Sequence, residues 1–222
     1  MIELPSFIDH SLLKPEATVE ALKRLCTEAK EYKFYAVCIN PCYITLAREF
    51  LKDSNVKVCT VIGFPLGANA KEAKIYEAMD AQLKGADELD IVMNIGLARS
   101  GEWNPVYREL RDIVLATEGA VHKIIIETGL LSEDQIKKAT EIVLKSGAEF
   151  IKTSTGFTGR GVTLDDLRII KEVAGNSLKI KASGGIRTLK QAMELINTGA
   201  SRLGTSSSVE IVKEWIKWSS ER

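Results

Sequence analysis

The sequence predicts an α/β protein, a closed (β/α)8 (TIM) barrel, and three observations carry that expectation. Short apolar runs alternate with helix-length stretches eight times, and no Pro/Gly/Ser-rich linker, low-complexity tract or charge block interrupts the rhythm. Such alternation implies right-handed parallel crossovers. Three Gly-Ala junctions, Gly85-Ala-Asp-Glu-Leu-Asp90, Gly147-Ala-Glu-Phe-Ile-Lys152 and Gly199-Ala-Ser-Arg-Leu-Gly204, each follow a helical stretch and open a strand-like one. The 222 residues suit one barrel domain, which typically runs to ~250. A doubly wound open sheet is the alternative, and in either fold the ligand sits beyond the carboxyl ends of the strands.

The elements follow in order. Phe7 to His10 reads as a very short strand and 11–15 as a loop. Thr18 is a candidate N-cap for a helix over 19–33, with apolar spacing at Leu22, Leu25, Cys26 and Ala29. The unbroken run Phe34 to Asn40 suits a strand covered on both faces. Pro41 fits the first turn of a helix over 41–52. A third strand spans 56–64 and a helix 70–84; a fourth strand runs from Leu89 to Asn94 and a helix over 104–118. The fifth strand is Lys123 to Thr128, and Ser132 with Gln135 begins a helix close to a full capping box. The stretch Glu149-Phe-Ile-Lys-Thr-Ser-Thr-Gly156 is the sixth strand and its loop, and Thr163 caps a helix through Val173. Leu178 to Ala182, Leu189 to Asn197, Arg202 to Thr205 and Val209 to Ser219 complete the alternation, the last as an amphipathic helix.

Composition excludes several classes. Lysine plus arginine equals aspartate plus glutamate at 30 each, so nothing argues for nucleic acid or an anionic membrane surface as partner. No apolar run spans a bilayer, and Met1-Ile-Glu-Leu-Pro5 lacks the plan of a signal peptide. The four cysteines, Cys26, Cys38, Cys42 and Cys59, form no paired C-x2-C motif, so reduced thiols and a cytoplasmic setting are expected. With only His10 and His122, a three-histidine metal centre is ruled out.

Chemistry concentrates on lysines. Lys152 lies among Phe150, Ile151 and a Thr/Ser run, where an ammonium is costly unless paired or neutral. Such a site yields an amine of lowered pKa able to attack a carbonyl; a lysine that snorkels out of the strand end is the alternative. Aligning the Gly-Ala junctions places Asp90, Lys152 and Gly204 at matching positions, converging on one space. Lys181 falls one strand away from Lys152, and a second cation there favours loss of the first one's proton. Lys179 shares its parity and is expected to point inward and pair with an acid. Asp9 and Glu127 are weaker carboxylate candidates, and Cys38 is expected to face the interior as a core thiol. Gly156, Gly184, Gly185 and Gly204, with Ser206 and Ser207 leading into the last helix, are candidates for holding a phosphate. Tight strand-to-helix turns are the plainer explanation of those glycines.

The segments Ile8-Asp-His10, Val61-Ile-Gly-Phe-Pro-Leu-Gly-Ala68, Glu88-Leu-Asp-Ile-Val92, Phe150-Ile-Lys-Thr-Ser-Thr-Gly156 and Lys181-Ala-Ser-Gly-Gly185 resemble the deoxyribose-phosphate aldolase family over about residues 6–212. The resemblance implies a class I aldolase without metal or other cofactor. It implies reversible cleavage of 2-deoxy-D-ribose 5-phosphate to D-glyceraldehyde 3-phosphate and acetaldehyde, in deoxyribose phosphate catabolism. By the same resemblance Lys152 forms the Schiff base, Asp90 and Lys181 serve the proton relay with Asp9 in support, and the six glycines and serines named above hold phosphate. The partners expected are a small phosphorylated sugar and further copies of the chain, as dimer or tetramer, with no nucleic acid and no membrane.

Overall fold

The computed structural model describes residues 3–221; the first two residues, on which the reading of the amino terminus partly rests, and the last lie outside them. The strands are β1 (Ile8–Leu12), β2 (Ala36–Ile39), β3 (Lys57–Ile62), β4 (Glu88–Val92), β5 (Val121–Ile125), β6 (Phe150–Lys152), β7 (Lys179–Ser183) and β8 (Arg202–Thr205). All eight pair in parallel in chain order and β1 closes on β8, so the sheet is a closed barrel and not an open one.

Helices α1 (Val19–Glu31), α2 (Ile44–Phe50), α3 (Lys71–Leu83), α4 (Ile95–Arg99), α5 (Trp103–Ala116), α6 (Glu133–Ser146), α7 (Leu164–Ala174), α8 (Leu189–Thr198) and α9 (Ser208–Ser220) lie between and after the strands. Their starts are set by side-chain chemistry. Thr18 accepts from the backbone N–H of Ala21, and Ser132, Thr163 and Thr188 each form a complete capping box. Gly147 and Gly199 end α6 and α8 in the left-handed conformation, which explains two of the three Gly-Ala junctions.

Several boundaries differ from the sequence expectation. β1 continues to Leu12, because residues 9–12 pair with β2. Pro41 opens a short 3-10 turn, Pro41–Tyr43, ahead of α2. The five-residue α4 was not anticipated; Asn94 caps it, accepting from the N–H of Leu97 at 3.0 Å.

One face of each strand packs under the helices as a continuous aliphatic layer; Ile8, Val37, Leu89, Ile124, Ile151, Ile180 and Leu203 are all buried there. The other face lines the barrel interior, where Ala36, Cys38, Cys59 and Val61 form an apolar cluster. The rest of that interior is largely ionic, with the Phe150 ring set among Lys123, Lys179 and Arg202.

Candidate active site

Alternation along the strands brings seven charged side chains into the barrel: Asp9, Glu88, Asp90, Lys123, Lys152, Lys181 and Arg202, each at least nine-tenths buried. Asp90 is the hub. Its Oδ2 accepts from Lys152 Nζ at 2.7 Å and from Lys181 Nζ at 2.6 Å, and its Oδ1 accepts from Lys123 Nζ at 2.9 Å. Lys181 also pairs with Asp9 at 2.5 Å. Below them Lys123 meets Glu88 at 2.7 Å, and Arg202 holds both Glu88 oxygens at 2.7 and 2.8 Å. Arg202 lies 3.3 Å from the Tyr35 ring centroid, a stacked cation–π contact near the amino end of the strands.

These pairings fix the ionisation states. Burial pushes the Asp90 carboxyl up, but Lys123, Lys152 and Lys181 outweigh it and hold it well below the usual carboxylate range. Asp9 shifts down for the same reason, its burial outweighed by Lys181 and Arg202. Burial disfavours the Lys181 ammonium, but Asp9 and Asp90 raise it well above the ordinary lysine value, so it stays a cation.

The interior thiols border this network. Cys59 Sγ lies 3.1 Å from Asp90 Oδ1, and Cys38 Sγ 3.7 Å from Oδ2. Burial pushes the Cys59 thiol well up. The Cys59 hydrogen bond, against burial, moves Cys38 down. Cys38, Cys59 and Asp90 bring three ligand-type atoms within 4.8 Å of one another. Both Asp90 oxygens are already taken by ammonium groups, which repel a metal cation.

Above the network lies a pocket of about 680 Å3 at the carboxyl ends of the strands. Lys152 lines it, as do Gly156, Gly184, Gly185, Gly204, Ser206 and Ser207, with Arg187 and Lys14 also on its wall. Lys152 is the one member of the interior charged set that lines this pocket; Asp90, Lys181 and Asp9 lie wholly buried beneath it. Two glycines show why side chains are excluded. A Cβ on Gly204 would lie 3.1 Å from both Lys181 Cε and Ser183 Cβ, and one on Gly161 would strike the Gly184 carbonyl oxygen at 2.3 Å.

Glu127 stands two residues beyond β5, so that strand is shorter than expected. It adopts a left-handed backbone (φ 55°) and is wholly buried. Its carboxylate accepts from the Thr155 N–H at 3.1 Å and from the Thr155 hydroxyl, holding the loop that carries Gly156. Arg160 binds both oxygens of Asp166 at 2.6 and 2.8 Å and steadies the same loop's far end.

Lys179 departs from expectation. It is exposed and makes no ion pair among the described residues; its ammonium lies 5.4 Å from the Phe150 ring centroid. Position at the open amino end of β7 lets it reach water, so no acid is needed. Asn40 donates to the Leu13 carbonyl at 3.2 Å, a loop tie. His122 is tied to Thr117 Oγ1 at 2.8 Å, away from the pocket. Conversely, Lys123, Glu88, Arg202 and Cys59 belong to the interior network, although the sequence reading gave them no site role. Parity would have found two of them, since Glu88 shares the face of Asp90, and Arg202 that of Gly204.

Architecture and pocket define the class: a (β/α)8-barrel enzyme whose site opens at the carboxyl end of the strands. The chain belongs to the DeoC/LacD family of aldolases, whose model matches residues 6–208, and it is therefore a carbon–carbon lyase. A deoxyribose-phosphate aldolase of Dictyoglomus turgidum is 51% identical over 210 residues, covering 95% of this chain and 96% of that one. The enzyme of the same name from Caldanaerobacter subterraneus subsp. tengcongensis is 49% identical over 220 residues, or 98% and 95% of the two chains. Among solved structures, the aldolase QR15 superposes with a TM-score of 0.95 at 45% identity over 100% of this chain and 99% of that one. Deoxyribose phosphate aldolase from Aeropyrum pernix, described as a tetramer, superposes with a TM-score of 0.90 at 35% identity, covering 97% and 92%. No helix among the described residues is long and apolar enough to cross a membrane.

Proposed function

We propose that the chain reversibly cleaves 2-deoxy-D-ribose 5-phosphate to D-glyceraldehyde 3-phosphate and acetaldehyde through an imine on Lys152, serving the breakdown of deoxyribose phosphate in the cytoplasm. The relatives' activity supports the substrate. The observation that carries the chemistry is the position of Lys152, at the junction of the ionic interior and a pocket whose far wall is the glycine- and serine-lined turn.

In this mechanism the Lys152 amine, in its unprotonated form, adds to C1 of the open-chain sugar, and the adduct takes up one proton and loses water, giving a protonated imine. The proton on the C3 hydroxyl is removed, the C2–C3 bond breaks, and its electron pair passes into the imine as an enamine. Glyceraldehyde 3-phosphate departs, C2 takes up a proton, and water hydrolyses the remaining imine to acetaldehyde and free Lys152. Asp90 and Lys181 relay these protons, and Asp9 holds Lys181 in place. Because both are sealed beneath the pocket, they reach substrate through Lys152 or an admitted water.

Gly156, Gly184, Gly185, Gly204, Ser206 and Ser207 hold the phosphate, helped by the positive end of α9 and the Arg187 guanidinium. Binding that remote group holds C1 over the amine. The tetramer described for the Aeropyrum pernix enzyme supports self-association as dimer or tetramer.

The test is reductive trapping. Acetaldehyde with borohydride should leave an ethyl group on Lys152 and inactivate the enzyme, and modification at another lysine refutes the assignment. A phosphosugar isomerase, which needs a free carboxylate base, would resist borohydride altogether. Both Asp90 oxygens are instead engaged by ammonium groups.

A further inference from the structure

We propose that Glu28, His10 and Ser208 form a positioning relay through which α1, outside the barrel, holds the turn 205–208 and so sets how tightly the pocket takes a phosphate group. The inference rests on the reading of that turn as the phosphate cradle. His10 alternates with the inward-facing Asp9, so its ring projects outward between β1 and the helices, where it is 4% exposed. Its Nε2 lies 2.9 Å from Glu28 Oε2 and its Nδ1 2.9 Å from Ser208 Oγ.

Carboxylates only accept, so Nε2 carries a proton. Burial lowers the His10 pKa against the opposing pull of Glu28 and Glu210, with Arg24 adding to the lowering. The neutral ring therefore presents Nδ1 as an acceptor, and the Ser208 hydroxyl donates to it. Phe34 packs 5.1 Å away and fixes the ring plane.

The line of bonds continues inward. The Ser208 hydroxyl has one proton, shared between His10 Nδ1 and the Thr205 carbonyl oxygen 3.1 Å away. The Thr205 hydroxyl donates to the Ile186 carbonyl at 2.7 Å and accepts from the Ser207 N–H at 3.0 Å. One series of polar contacts thus runs from α1 across β1 and the head of α9 to the loop after β7. Ser206, Ser207, Gly184 and Gly185 hang from it. His10 and Ser208 are desolvated polar groups whose burial costs stability that an apolar packing would not. What they fix directly is the turn that faces the anion. Ser208 is wholly buried, so the Ser–His–Glu resemblance to a hydrolytic triad carries no nucleophile to substrate.

Glu28 is part-exposed and clear of the pocket, so its variants keep the barrel. Turnover of 2-deoxyribose 5-phosphate and of unphosphorylated 2-deoxyribose, together with the Kd of inorganic phosphate by calorimetry, separates the outcomes. In Glu28→Ala, KM for the phosphorylated sugar and Kd for phosphate should rise about 5-fold, as expected for one lost hydrogen bond, with kcat and the 2-deoxyribose reaction within about 2-fold of the parent. Glu28→Gln, whose amide oxygen still accepts from Nε2, should restore both constants. Equal losses on the two sugars, an unchanged phosphate Kd, or no phosphate binding by the parent overturns the relay. If the parent binds phosphate but does not cleave the phosphosugar, the proposed reaction falls while the phosphate Kd of the variants still decides the relay.

Discussion

Lys152 and Lys181 donate to one and the same oxygen, Asp90 Oδ2, at 2.7 and 2.6 Å. Two amines on one carboxylate oxygen form an asymmetric set, because Lys181 has a second anion in Asp9 and Lys152 has none among the described residues. Lys181 is held as a cation by both carboxylates. Lys152 keeps its free side toward the pocket, where a carbonyl carbon can reach it.

Lys152→Ala should abolish cleavage, measured by release of glyceraldehyde 3-phosphate, while circular dichroism remains that of the parent. Asp90 retains Lys123 and Lys181 in this variant. Loss of stability should therefore fall below the ~3–5 kcal/mol typical of stranding a buried charge. A Lys152→Ala protein that still turns over at the parent rate would remove this amine from the mechanism.

Acid should unfold the barrel through Asp90 and Asp9. Both bind protons less tightly folded than unfolded. Their contribution to stability is thus fully present above the unfolded pKa, about 3.9, and is lost as pH falls below it toward the folded values. Lys123→Met removes a cation from Asp90 Oδ1, so its carboxyl should titrate higher and acid unfolding should begin at a higher pH. Equilibrium unfolding monitored from pH 7 downward checks both statements.

Gly161→Ala should be among the most damaging loop substitutions. The added methyl meets backbone, the Gly184 carbonyl at 2.3 Å, with no flexible side chain to yield. A cost of about 1–3 kcal/mol in stability and a raised KM for phosphosugar are expected, read by thermal melts and steady-state kinetics.

Glu127→Ala should leave Thr155 without its acceptor and loosen the loop that presents Gly156. We expect about 1–3 kcal/mol of destabilisation from the stranded donors and a fall in kcat/KM larger on the phosphorylated than on the unphosphorylated sugar. Equal falls on the two would assign Glu127 to folding alone.

Much of this was legible in the chain because a parallel barrel covers its strands on both faces, which leaves uninterrupted apolar runs. Lys152 and Lys181 stood out as charges inside such runs, and the Gly-Ala junctions set the frame that brought Asp90 to them. The two amino-end lysines show where reading by residue type stops. Lys123 and Lys179 flank Phe150 in register, one on each neighbouring strand. Yet Lys123 is wholly buried and Lys179 is exposed. The difference lies across the next strand: β4 offers Glu88 and Asp90 to Lys123, whereas β8 offers the cation Arg202 beside β7. Register and barrel stagger decide that, and neither is written in spacing along one strand. Glu127 was equally hidden, because its work depends on a left-handed backbone that no side-chain pattern announces.

The Tyr35–Arg202–Glu88–Lys123 assembly plugs the floor of the barrel. Its consequence is a vessel with a single mouth. If the proposed reaction holds, sugar, water and protons all pass the same rim, and a bound substrate acts as a stopper over the charges beneath it. On the proposed mechanism, the protons relayed by Asp90 and Lys181 exchange with the medium through that mouth only after the first product has left.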